Sequence, residues 1–238
     1  MTSRPVQWAQ KYFYFFMSLV IAAVVVYGFS QTIDHNLIHP SPLPPFVLYF
    51  HAAAFSGWVI LFIVQSGLVR THHVRVHRTL GWFGVALAAA MLVLGTWTSV
   101  SMDRFDVRNT PADAVFIAAF TIVQWVYLYG FGVLFGLAIY WRRAPEFHRR
   151  LMLMGTCVLT DAAWGRFPEH MMPFNVYGAV GVDVLILMGV ARDLIVNRRV
   201  HKAYLYGLPA VVACEVLAEY TFMHASPWWV HIAKAILY

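Results

Sequence analysis

Residues 113–141 read DAVFIAAFTIVQWVYLYGFGVLFGLAIYW, and no charged side chain stands between Asp113 and Arg142. A helix crosses the hydrocarbon core of a bilayer with about 20 consecutive apolar residues, and this run is longer. In water it would expose more apolar surface than a soluble monomer tolerates. In lipid a helix satisfies all of its own backbone polar groups. The stretch therefore reads as a membrane-spanning helix, with enough length to tilt.

The same reading extends outward in both directions. Apolar runs at about 12–30, 46–69, 79–101, 151–167, 174–196 and 204–224 join 113–141 to give about seven spans. The chain is 61% apolar and 12% charged over 238 residues, where soluble domains carry about 25% charge. Its mean hydropathy is +0.64. Seven spans leave no room for a separate soluble domain, so residues 1–238 are expected to form one all-α integral membrane bundle. Arg4 and Lys11 ahead of the first run resemble a signal peptide, but Tyr27-Gly28-Phe29-Ser30 lacks a small-x-small cleavage site, and the run reads as a retained helix. Residues 31–45, with four prolines, form a loop, and residues 102–112 form another with Asp103, Arg104, Asp106 and Arg108. The tail 226–238, with Trp228 and Trp229, reads as an interfacial segment.

The net charge of +6 and a pI near 9.5 do not indicate nucleic acid, because the basic residues cluster in short loops between apolar runs. That is the pattern of loops facing anionic lipid. One face collects Arg4, Lys11, Arg70, Arg75, Arg78, Arg142, Arg143, Arg149, Arg150, Arg198, Arg199 and Lys202. The other collects Arg104, Arg108, Arg166 and Lys234. Such a bias places the amino terminus inside and the carboxy terminus outside, in a cell inner membrane with lipids as the first partners. Cys157 and Cys214 sit inside apolar runs and read as core residues, not as a disulfide.

Ionisable groups at membrane depth are costly, about 2.5–3.5 kcal/mol each, and usually face a partner or a cavity. His51, Asp161, Arg166, Asp183, Glu215 and Glu219 are of this kind, with Gln65 and Gln124 as uncharged company. Counted from the span ends, most fall in the outer half, and His51, Gln124, Asp161, Arg166 and Asp183 are expected to share a polar pocket for a small-molecule ligand. Glu219 follows Glu215 by one turn, on the same helix face. The plainer alternative is pairing that merely satisfies burial. No His-Glu-x-x-His segment is present.

The histidines carry a second expectation. Val76-His77-Arg78-Thr79-Leu80 and Phe147-His148-Arg149-Arg150-Leu151 open two helices after basic loops, an echo that suggests a repeated helix pair. Axial histidines on facing helices hold haem in membrane cytochromes. His77 with His148 at the inner side, and His51 toward the outer, would then bind haem b and serve a redox partner. The plainer alternative makes His77 and His148 headgroup contacts beside Arg78 and Arg149. Trp58, Trp125 and Trp164 lie deep enough to line a cavity, while Gly132-x-x-x-Gly136 fits close helix packing.

His51, Trp58 and Gln65, then His77-Arg78-x-Leu80-Gly81, then His148-Arg149-Arg150-Leu151-Met152 resemble a family of uncharacterised bacterial multi-pass membrane proteins. Arg166, Asp183 and Asp193 fit the same pattern, which runs from about residue 46 to 205; Glu215 and Glu219 do not. The histidine-arginine-leucine helix start is also similar to that of small membrane proteins linked to haem and oxidase assembly. The resemblance implies architecture and no reaction. Three readings stay open: a haem or redox protein, a transporter or small-molecule binder, and a metal-dependent intramembrane enzyme.

Overall fold

The computed structural model describes residues 4–168, 170–171 and 177–237. Among these the chain is helical, without strands. The helices are α1 (Arg4–Ser30), α2 (Val47–Arg70), α3 (Val74–Asn109), α4 (Ala114–Tyr140), α5 (Pro145–Val158), α6 (Asp161–Trp164), α7 (Tyr177–Asn197), α8 (Lys202–Met223) and α9 (Pro227–Leu237). Among the described residues five helical stretches are long and apolar enough to cross a membrane: Gln10–Ser30, Val47–Arg70, Val74–Asn109, Pro111–Tyr140 and Lys202–Met223. The expected start of the sixth span, residues 174–176, lies outside the described residues.

The other two expected spans differ for physical reasons. The run at 151–167 is split: α5 ends at Val158, and its 14 residues rise only about 21 Å. Thr160 makes the break, its backbone N–H and its hydroxyl both turning back to the Cys157 carbonyl (2.9 and 2.6 Å). Helix α7 has the length but carries Asp183, Arg192 and Asp193.

The expected loop at 102–112 is corrected, because α3 continues through it to Asn109. Nothing between residues 101 and 109 breaks a helix, and the stop comes at Thr110, which precedes Pro111. Asp103 is therefore helical and buried, its carboxylate accepting from the hydroxyl of Thr121 (2.8 Å) and the amide of Gln124 (3.1 Å). Residues 31–45 are mostly irregular but include one π-helical turn, Asp34–Ile38. The basic loops are short, α2 turning into α3 through His72 and α7 ending at Arg198, both left-handed (φ 63° and 57°).

Helix α4 is the core of the bundle. Ala119, Val123, Tyr127, Phe131, Leu134 and Ala138 recur every three or four residues along it and are buried. Against it pack α3, α5 and α8, while α2 lies along α3 and α1 bridges α2 to α6 and α7. Two glycines set close approaches. A Cβ at Gly28 would stand 2.2 Å from the Ala163 carbonyl oxygen, and one at Gly181 would stand 2.3 Å from the Trp164 ring. Helix α9 is amphipathic and docks on α3 and α4, with buried Trp229 donating its indole N–H to the Ala118 carbonyl (3.1 Å).

Candidate functional site

Three groups of polar side chains lie in the bundle, and α5 with the turn after it contributes to all of them. At the basic end, Arg150 and Asp193 have fully buried side chains and form a two-point ion pair, Nε to Oδ2 at 2.8 Å and Nη2 to Oδ1 at 2.5 Å. Further hydrogen bonds surround the pair. Arg150 Nη1 donates to the carbonyl and carboxylate of Glu146 (2.8 and 2.6 Å). Asp193 also accepts from Arg192 (3.0 Å), Asn197 (3.1 Å) and the His201 backbone N–H (3.2 Å). Tyr14 from α1 lies against the guanidiniums of Arg149 and Arg192, 5.2 and 5.6 Å from its ring centre. The cluster therefore locks α1, α5, α7 and the start of α8 together. Burial, and then the charge of Arg150, hold the His201 imidazole below its ordinary value. Its unprotonated Nδ1 accepts from the Ala203 N–H (3.1 Å) and caps α8.

The second group is the histidine pair. His77, in the first turn of α3, and His148, in the first turn of α5, come together with ring centres 6.2 Å apart and planes at 78°. His148 Nδ1 is 2.9 Å from the Ala138 carbonyl oxygen, so it carries the proton and leaves Nε2 available. His77 turns toward the backbone of Gln65, and its buried Nδ1 has no hydrogen-bond partner. A Cβ added at Gly81, one turn along α3, would meet only the Gln65 side-chain nitrogen, at 3.8 Å. Arg78, Arg142 and Arg149 stand at the same end of the bundle. His51 stands apart near the start of α2, its ring stacked on Phe55 at 4.0 Å and its Nδ1 unpartnered.

The third group is at the opposite end and is only part of the expected pocket. Arg166 donates to Thr32 Oγ1 (3.2 Å) and to the Ala162 carbonyl, lies over Phe29, and is within electrostatic reach of His51 and Asp161. Asp161 presses on the first turn of α7, where a Cβ at Gly178 would meet its Oδ1 at 1.7 Å. The Tyr127 hydroxyl stands among Asp161, Glu215 and Glu219 without a well-formed hydrogen bond to any of them, and Asp183 faces Glu215. Gln124 is not among them, because it is bound to Asp103. Among the described residues no group of three His, Cys, Asp or Glu side chains is placed to hold a metal ion.

Sequence reasoning missed Tyr127, Tyr14, Asp103 and the Arg150–Asp193 pair. Only the last left a signal, Asp193 inside an apolar run, and its partnership with Arg150 spans 43 positions. Comparison with protein-family models, curated proteins and solved structures finds no match to the chain.

Proposed function

We propose that this chain is a redox-linked integral membrane protein that binds haem b between His77 and His148. The observation that carries the reading is their convergence from two helices, each with an imidazole nitrogen free of any hydrogen bond. With ring centres 6.2 Å apart, the two imidazoles would be the residues that hold one metal atom. A ligating histidine ordinarily donates its other N–H to a fixed acceptor, which sets the tautomer and the ring orientation. The Ala138 carbonyl is in that place for His148. Gly81 places no side chain one turn from His77, and Arg78 and Arg142 are cations suited to haem carboxylates, Arg149 being paired with Glu146. Bound haem would supply one-electron transfer. The chain's own residues would fix its axis, bind its carboxylates and keep it between α3 and α5.

The test is optical. Protein purified after haem-replete expression is expected to show a Soret band and a reducible visible spectrum, both lost in His77→Ala and in His148→Ala. Folded wild-type protein without a Soret band would remove the reading.

The placement in the membrane belongs to the same proposal. The broken α5–α6 segment and α7 join the five long helices as crossings, giving seven, with the amino terminus inside a bacterial inner membrane. The basic loops support this orientation, since they alternate with segments poorer in lysine and arginine along the chain. An alkaline phosphatase fused at the carboxy terminus should be active, and a green fluorescent protein fused there should be dark. Kinship with the bacterial multi-pass family sharing the two histidine-arginine segments is part of the proposal too.

A further inference from the structure

A groove of about 420 Å³ lies between α7 and α8, away from the histidine pair. Its size is that of small-molecule sites, which run from about 300 to 1,000 Å³. Three acids, Asp183, Glu215 and Glu219, stand in it among Val180, Val212 and Val216. Glu215 decides its meaning. The residue is only 3% exposed, the neutral Tyr127 hydroxyl stands beside it, and neither of its carboxylate oxygens accepts a well-formed hydrogen bond or faces a cation. One oxygen of Asp183 is also unpartnered. Among the described residues no arginine, lysine or histidine makes an ion pair with any of the three. His224, at the rim, has its Nδ1 on the Tyr220 carbonyl (2.9 Å).

A membrane helix does not ordinarily keep two acids one turn apart without a partner, because carboxylates in lipid are expensive and usually paired. The walls are apolar and, apart from His224 at the rim, the polar groups in them are chiefly acids, so the complement is a positive charge, which favours their ionised form, on an apolar body. We infer that the α7–α8 groove binds an amphipathic organic cation, its charge held by Glu215 with Asp183 and Glu219 and its apolar part by the valines. The occupant is separated from the haem reading, since no residue of the groove touches His77 or His148. Either idea can fail without the other.

The experiment uses full-length protein in zwitterionic nanodiscs and radiolabelled tetraphenylphosphonium, with neutral triphenylphosphine oxide as competitor. Saturable binding is expected near one cation per chain, unaffected by the neutral oxide. Glu215→Gln should weaken it tenfold or more, and Asp183→Asn at least threefold, with Soret absorbance as a separate readout. Val216→Trp, on the exposed wall, should block binding even if Glu215→Gln fails to fold. The inference is overturned by non-saturable uptake, by displacement with the neutral oxide, or by wild-type affinity in folded Glu215→Gln or in Val216→Trp.

Discussion

Asp193→Asn is the substitution whose cost the structure sets most directly. The carboxylate of Asp193 takes two hydrogen bonds from Arg150 and one each from Arg192, Asn197 and the His201 backbone, with no exposure to solvent. An amide of the same shape keeps one acceptor and loses the negative charge. It also points an N–H₂ at donors it cannot satisfy. Charge-assisted hydrogen bonds contribute about 1.5–3 kcal/mol each, and removing one partner of a buried ion pair costs about 3–5 kcal/mol. Glu146 still reaches Arg150 Nη1 and keeps a carboxylate on it, which places the loss near the lower bound, about 3 kcal/mol. For a chain of this size that is a fall of roughly 6–12 °C in the unfolding midpoint. The assay is tryptophan fluorescence on heating in one fixed detergent. Arg150→Met combined with Asp193→Leu should recover part of the loss, since Arg150 is then not left as a buried charge, while Arg192 still loses its carboxylate. A midpoint for Asp193→Asn within about 2 °C of wild type would refute the claim that this pair ties α5 to α7.

Three further outcomes follow from the packing and charge. Gly28→Ala places a methyl group 2.2 Å from the Ala163 carbonyl oxygen, so α1 must move off α6, with an expected loss of about 1–3 kcal/mol in the same thermal assay; an unchanged midpoint would contradict the close approach. Partial burial acts to raise the Glu146 carboxyl, but the hydrogen bond to Arg150 and the charges of Arg149 and Arg150 hold it below its ordinary value of 4.5. Its small stabilising contribution is thus complete above pH 4.5 and lost as pH falls through the lower folded value, so Glu146→Gln should flatten the acid limb of the stability curve below pH 4.5; superimposable curves would count against it. Trp229→Ala removes a buried ring and its bond to Ala118, and should release α9 to proteolysis at the carboxy terminus while α1–α8 stay resistant; equal protection of the tail in both proteins would disprove the docking.

The long helices were legible in the sequence because lipid imposes a one-dimensional rule. A run such as 113–141 must be helical and must be long, whatever surrounds it. That rule places α2, α4 and α8 within two residues of their expected bounds at nearly every end. It does not see where a polar side chain finds its partner. Asp103 reads as a loop residue until Thr121 and Gln124, 18 and 21 positions away, are packed beside it. Thr160 breaks the expected fifth span through a local hydrogen bond that hydropathy ignores.

The sequence by itself determined that the chain is helical, with runs long and apolar enough to cross a membrane and basic segments between them, that His77 and His148 open two helices in the same way, and that Glu215 and Glu219 share one face. Only the tertiary structure decided that the two histidines meet, that Arg150 pairs with Asp193, and that Gln124 leaves the acids for Asp103. Composition and spacing fix which face of a helix a residue occupies. Which other helix that face meets depends on helix order and rotation in the bundle, and those arise from side-chain packing between segments far apart in the chain.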